Sequence, residues 1–170
     1  MNIAHIIHQY DFNLLYAKEL VQDLSKEEMT MIPSSGLENH PAFTLGRLVS
    51  GSAMLAEDLG AAFEMPESWK ELFSRNGPGD SRKPDPDSGK YPGKTMLLEE
   101  LEHQHSKVKS LLHTLDINKF SEPIKWRFSK FMPTVYDLVV FMCINHEAMH
   151  LGQLAAWRRA MEKESALGRI

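Results

Sequence analysis

The sequence is poor in three features, and each shortage excludes a class of protein. It has one cysteine, Cys143, so no disulfide can form within the chain. Its longest apolar run, 138–144, falls far short of the roughly 20 residues that a membrane-spanning helix needs. Its net charge is −4, whereas nucleic-acid-binding domains usually present a basic face. We therefore expect no internal disulfide and no nucleic-acid or membrane partner.

The first ten residues, MNIAHIIHQY, lack a basic start, a continuous apolar stretch and a small-residue cleavage site, so they do not resemble a signal peptide. We expect a cytoplasmic protein. Apolar residues make up 42% of the chain and charged residues 25%, which is typical of globular proteins. A length of 170 residues suits a single domain, which we expect to span 1–170.

Apolar residues recur every three or four positions in four long stretches, which is the period of an α-helix. The predicted helices are about 3–24, 41–63, 95–115 and 134–164, with a short helix at 67–75 between the second and third. Asn39 is the expected N-cap of the second helix, and Pro41 suits its first turn. Thr134 and Asp137 resemble a capping box at the start of the last.

Two connections are unlike the rest of the chain. Residues 77–94 contain four glycines and four prolines and are predicted to be a loop. Residues 116–133 include Trp126, Phe128 and Phe131, so we expect that loop to fold against the helices. The fold class is predicted to be all-α, an antiparallel four-helix bundle with a long connection between its second and third long helices. An up-down-up-down order is favoured but not required.

His146 and His150 are the main candidates for a functional site. Four residues apart on a helix, their side chains share one face about 5–6 Å apart. Two imidazoles at that spacing can bind one metal ion at roughly 2.1 Å each. The alternative is a pair of buried histidines that are hydrogen-bonded to carbonyl groups. The third long helix carries three histidines that we expect at the surface, His103, His105 and His113.

The segment His146-Glu147-Ala148-Met149-His150 also fits the H-E-x-x-H pattern of zinc proteases, in which the glutamate is the general base. The extended form of that pattern has glycine and histidine at the positions that Gln153 and Ala156 occupy in this chain. No strand pattern precedes the motif to bind an extended peptide. A metalloprotease is therefore kept only as a minor alternative.

Two segments resemble the DinB-like superfamily. The first is Asn39-His40-Pro41-Ala42-Phe43-Thr44-Leu45-Gly46-Arg47-Leu48, and the second runs from His146 through Leu151-Gly152 to Gln153. The helix layout is similar as well. The resemblance implies a four-helix bundle, often a homodimer, with nickel or zinc held by three histidines, two from the last helix and one from the second. It also implies kinship with transferases and isomerases that use small thiols.

This chain departs from the family pattern at Arg47, where the resemblance implies the histidine of the second helix. A guanidinium stays protonated and has no lone pair for a metal. Another residue could complete the metal site. His8 of the first helix is the candidate we name, and Asp11 of the same helix is the alternative. Alternatively, a metal binds weakly to two histidines and water, or the metal site is lost and Arg47 contacts an anion.

Three functions remain open at this point. The first is a metal-dependent transferase acting through a small thiol, with a metal site altered by Arg47. The second is a non-catalytic dimeric bundle that binds a small anionic ligand at Arg47, with Gln153 helping to frame the site. The third is the metalloprotease. Whether the chain is an enzyme, and which residue would be catalytic, is left open.

Overall fold

The computed structural model describes residues 2–34, 36–74 and 83–170, and its regular structure there is helical. The first three helices are α1 at Ile3–Val21, α2 at Pro41–Asp58 and the short α3 at Glu67–Phe73. Helix α4 covers Lys94–Thr114. The last helix, α5, has three consecutive parts, which are Val135–Val140, Phe141–His146 and Glu147–Ala160; the middle part is π-helical. Short 3₁₀ turns lie at Glu28–Thr30, Ser88–Lys90, Ile117–Ser121 and Ala166–Arg169.

The four long helices pack as a ring in the order α1, α4, α2, α5. Ion pairs from Lys18 to Glu102 and from Asp11 to Lys109 show that α1 and α4 are antiparallel. The ring of His40 at the start of α2 lies 4.4 Å from that of Tyr91, just before α4, so α2 and α4 start at the same end. The all-α bundle is confirmed, but α2 and α4 run parallel, and the expected alternation of direction is wrong there.

The parallel pair explains the long connection between α2 and α4. Helix α2 has 18 residues, so the chain must return about 27 Å before α4 can begin beside the start of α2. The connection between α2 and α4 makes this return, and its helix α3 packs on α2. The predicted end of α3 at Arg75, and residues 77–82 of the predicted loop, fall outside the described residues; α3 ends at Phe73.

Helix α2 ends five residues before its predicted end because of a glycine. Gly60 adopts a φ of 97°, a left-handed conformation that glycine tolerates best. The N–H groups of Gly60 and Ala61 donate to the carbonyls of Glu57 and Ala56, which is the Schellman arrangement that closes a helix. At the other end of α2, Pro41 takes the first helical position as expected, but His40 rather than Asn39 is the N-cap.

The core consists of two apolar clusters, one toward each end of the bundle. The first joins the end of α1 to the start of α2 and includes Trp157 of α5. The second joins the start of α1 to the end of α2 and includes Phe120. Between them lies a layer that contains buried polar side chains, which are Tyr10, Ser52, His105 and Glu147. This layer positions the candidate site.

The apolar loop before α5 packs on the bundle through most of its aromatic residues. The ring of Trp126 lies 5.3 Å from that of Phe141, and its indole N–H donates to the Met132 carbonyl. Phe128 also contacts Phe141. The expectation fails for Phe131, whose side chain is 78% exposed. Within the described ranges, no helix is both long and apolar enough to cross a membrane.

Candidate functional site

His146 lies against α2 at a point where α2 has no side chain. A Cβ atom built on Gly51 would lie only 2.4 Å from Cε1 of the His146 ring, so the close approach requires glycine. The His150 ring is 4.7 Å from that of His146, with the two planes at 76°. The structure thus brings together the two histidines that the sequence singled out. Gly51 is the residue of α2 that permits this close packing.

Arg47 lies one turn before Gly51 on the same face of α2. Because α2 and α5 are antiparallel and Gly51 meets His146, position 47 falls at the level of the turn that carries His150. The Arg47 guanidinium donates a hydrogen bond to the Phe73 carbonyl at the end of α3. Burial, and secondarily the charge of Arg47, lower the pKa of His146 to about 4. At neutral pH, His146 is therefore uncharged.

Gln153 contacts His150, the second histidine of the pair. Its Oε1 atom lies 3.2 Å from Nδ1 of His150 and accepts a hydrogen bond at the same distance from the Asn39 amide. Since an amide oxygen only accepts, His150 donates from Nδ1, and its lone pair in the neutral form is on Nε2. Gln153 therefore orients His150 and links α5 to the segment that precedes α2.

Arg47 also lines a cavity of about 540 Å³ at the surface. Phe43 and Phe73 contribute apolar walls, while Lys83 and Lys90 add positive charge. The carboxylates of Glu71 and Asp85 are at the same cavity. Arg47 is thus shared by the cavity and the surroundings of His146, and both apolar and charged groups are available to a small ligand.

A buried polar chain lies behind the histidine pair. Oε1 of Glu147 is hydrogen-bonded to Nε2 of His105 at 3.1 Å, and the His105 ring stacks on Tyr10 with centroids 3.6 Å apart. The Tyr10 hydroxyl meets that of Ser52 at 2.7 Å. Burial raises the pKa of Glu147, an effect that His105 opposes. Glu147 thus faces the interior and His105, which gives no support to the protease alternative.

The sequence did not lead us to this buried chain, and one expectation about it is wrong. His105 was expected at the surface but is fully buried, whereas its neighbour His103 is exposed as expected. Two residues apart on a helix, they face different directions, and only the packing of α4 decides which one points inward. The available signal was that His105 lies four residues after Leu101 and three before Val108, the helical spacing of an apolar stripe.

Cys143 and His8 do not join the histidine pair as reactive groups. Cys143 is completely buried, and burial raises the pKa of its thiol, so it is a core residue rather than a thiolate. His8 is exposed on α1 and contacts the ring of His5 at 6.3 Å. Neither residue supplies a third donor beside His146 and His150.

Comparison with known proteins identifies the family and the fold of this chain. The sequence profile of the DinB superfamily matches residues 2–154, which is most of the chain. The chain belongs to the DinB superfamily. A crystal structure of a conserved protein from Enterococcus faecalis superposes with a TM-score of 0.69 at 15% identity, covering 94% of this chain and 97% of that one. At that identity, the DinB bundle fold is what the two share. No curated protein matches.

The three-histidine metal centre that the resemblance implies can be tested against the residues present. Over residues 2–34, 36–74 and 83–170, no three His, Cys, Asp or Glu side chains are grouped so that they could hold one ion. His146 and His150 supply two donors, and the third position faces a guanidinium, which repels a cation. This donor set does not fit a tightly held divalent ion, and we derive no chemical step through one.

Proposed function

We propose that this DinB protein binds a small anionic molecule at Arg47, His146 and His150. The observation that carries the proposal is the position of Arg47, whose guanidinium both acts on His146 and lines the cavity beside α3. A planar guanidinium binds carboxylate and phosphate groups well. Neutral His146 and the neighbouring His150 ring add hydrogen-bonding groups beside the guanidinium.

A metal-dependent transferase that acts through a small thiol is the second candidate. It is favoured by the two histidine rings, 4.7 Å apart, and by the low pKa of His146, since a neutral imidazole is the form that binds a metal. Nickel or zinc would then bind to His146 and His150 with an incomplete set of ligands. Arg47 is the residue that decides between the two candidates.

The deciding experiment replaces Arg47 and measures, by calorimetry, how strongly each variant binds inorganic phosphate and zinc. We expect wild-type protein without a histidine tag to bind phosphate, and the Arg47→Gln variant to bind it at least about tenfold more weakly. We expect Arg47→His to gain zinc binding that the double variant Arg47→His/His146→Ala lacks. Near-stoichiometric zinc in the wild-type protein, with phosphate binding unaffected by Arg47→Gln, would favour the transferase instead.

We also propose that the protein forms a homodimer through neighbouring faces of α1 and α5. Phe12 and Leu15 of α1 and Met149 of α5 are each more than 40% exposed, on two helices that pack side by side. Burying such residues between two copies would remove apolar surface from water. Sedimentation should show a dimer that Phe12→Asp converts to a monomer; a wild-type monomer would disprove this part of the proposal.

A further inference from the structure

The π-helical part of α5 keeps the buried face of this helix in register at the level of the site. In an α-helix, each step of four residues overshoots a full turn by about 40°, so a stripe built only from such steps drifts off one face. Val139, Cys143, Glu147 and Leu151 follow three consecutive steps of four, yet all are buried. A π-helical turn takes an extra residue and cancels the drift. The segment Phe141–His146 is where this happens.

A side chain from α1 stabilises this irregular turn. The N–H of Glu147, which an α-helix would direct to the Cys143 carbonyl, donates to the Ile144 carbonyl instead. The Cys143 carbonyl accepts a hydrogen bond from Nδ2 of Asn13 at 3.0 Å. Asn13 is itself buried, 8% exposed, so the contact is shielded from water. A buried carbonyl that loses its helical donor needs a replacement of this kind.

A second contact holds the other side of the irregular turn. Glu147 is fixed by its hydrogen bond with His105 of α4. The extra residue is thereby confined between position 143, held by Asn13, and position 147, held by His105. His146 lies within that interval. If the extra residue moved to the other side of His146, the ring would turn by about 100° and leave Gly51.

We propose that Asn13 is a positioning residue of the ligand site, which fixes the π-helical turn so that His146 faces Gly51 and Arg47. Asn13 itself would touch no ligand. It acts through the backbone of α5, which it contacts from α1. This inference rests on the proposed function in one respect, namely that His146 contacts the ligand. The placement of His146 by Asn13 is independent of what the ligand is.

The test reads the position of His146 directly by nuclear magnetic resonance. In the wild-type protein, the Hε1 proton of His146 should show a nuclear Overhauser effect to the Hα protons of Gly51, because Cε1 is the ring atom nearest that residue. Asn13→Leu, which has a similar volume and no donor, should lose this signal. Asn13→Gln, which retains an amide donor, should keep it. Phosphate affinity should fall about tenfold in the leucine variant, the loss of roughly one hydrogen bond.

Trp157→Phe is the matched control, because it removes a buried side-chain donor to the Met31 carbonyl farther along the same helix. It should leave the signal between His146 and Gly51 unchanged. Asn13→Ser, whose shorter side chain does not reach α5, replaces the leucine variant if that one fails to fold. An unchanged signal in the folded variant without the donor would overturn the proposal, as would loss of the signal in both Asn13→Leu and Asn13→Gln. If the signal responds as expected but wild-type protein binds no phosphate, the proposed function fails and the positioning role stands.

Discussion

Helix α5 carries two buried polar clusters, and they are built differently. Near its end, the Arg158 side chain is only 2% exposed and donates from all three nitrogens, in two bonds to the Asp23 carboxylate and others to the carbonyls of Leu20 and Glu164. In its middle, Nδ1 of His105 and Oε2 of Glu147 are buried with no hydrogen-bond partner among the described residues. One cluster is fully paired and the other is not.

The difference separates stability from function. Removing one partner of a buried and fully paired charge strongly destabilises a protein, because the remaining groups lose their partners. Buried polar atoms without partners cost free energy, so their presence needs another reason. The incompletely paired cluster lies directly behind the histidine pair, whereas the paired one lies at the far end of the helix. Arg158 joins the end of α5 to the end of α1 and the residues that follow it.

The largest loss of stability should come from removing Arg158 from the fully paired cluster. Arg158→Met leaves the Asp23 carboxylate and the carbonyls of Leu20 and Glu164 without their donors, and we expect a loss of about 3 kcal/mol in the free energy of unfolding. Urea unfolding monitored by circular dichroism measures it. Arg159→Met is the control, since Arg159 is exposed, and it should change stability by less than about 0.5 kcal/mol. Equal effects of the two variants would remove the contrast between the clusters.

An intermediate loss of stability is expected from a substitution at the contact between α2 and α5. In Gly51→Ala, the new methyl group must displace the His146 ring, and we expect a loss of about 1–2 kcal/mol from overpacking together with weaker phosphate binding. Gly152→Ala is the matched control: its Cβ would meet nothing within 4 Å, and alanine should stabilise the helix by up to about 1 kcal/mol. Urea unfolding of both variants gives the comparison. Stabilisation of both would show that His146 does not pack on Gly51.

The smallest effect should come from the incompletely paired cluster. Glu147→Gln keeps an oxygen for His105 and removes an acid whose pKa burial already raises, so we expect stability at pH 7 to change by less than about 1 kcal/mol. Glu99→Gln, at an exposed position of α4, serves as the control in the same urea titration. A loss as large as that of Arg158→Met would mean that Glu147 also belongs to a stabilising ion pair.

Several features of the fold and site could be predicted from the sequence because they depend on local spacing. The apolar period placed the long helices, Thr134 and Asp137 form the predicted capping box, and the step of four placed His146 and His150 side by side. Helix direction was not predictable in this way, since the same period fits parallel and antiparallel neighbours. The end of α2 was missed although Gly60 signals it, and the burial of His105 depends on packing alone.

The sequence by itself determined that the chain is helical and that two histidines share a face of its last helix, and two of its segments resemble the DinB superfamily. These properties follow from residue identity and periodicity along one segment at a time. Only the tertiary structure decided that α2 and α4 run parallel, that α5 contains a π-helical turn, and that Asn13, His105 and Gly51 meet around His146. Such contacts join residues up to 130 positions apart, and packing of separate helices, rather than local preference, determines which of them form.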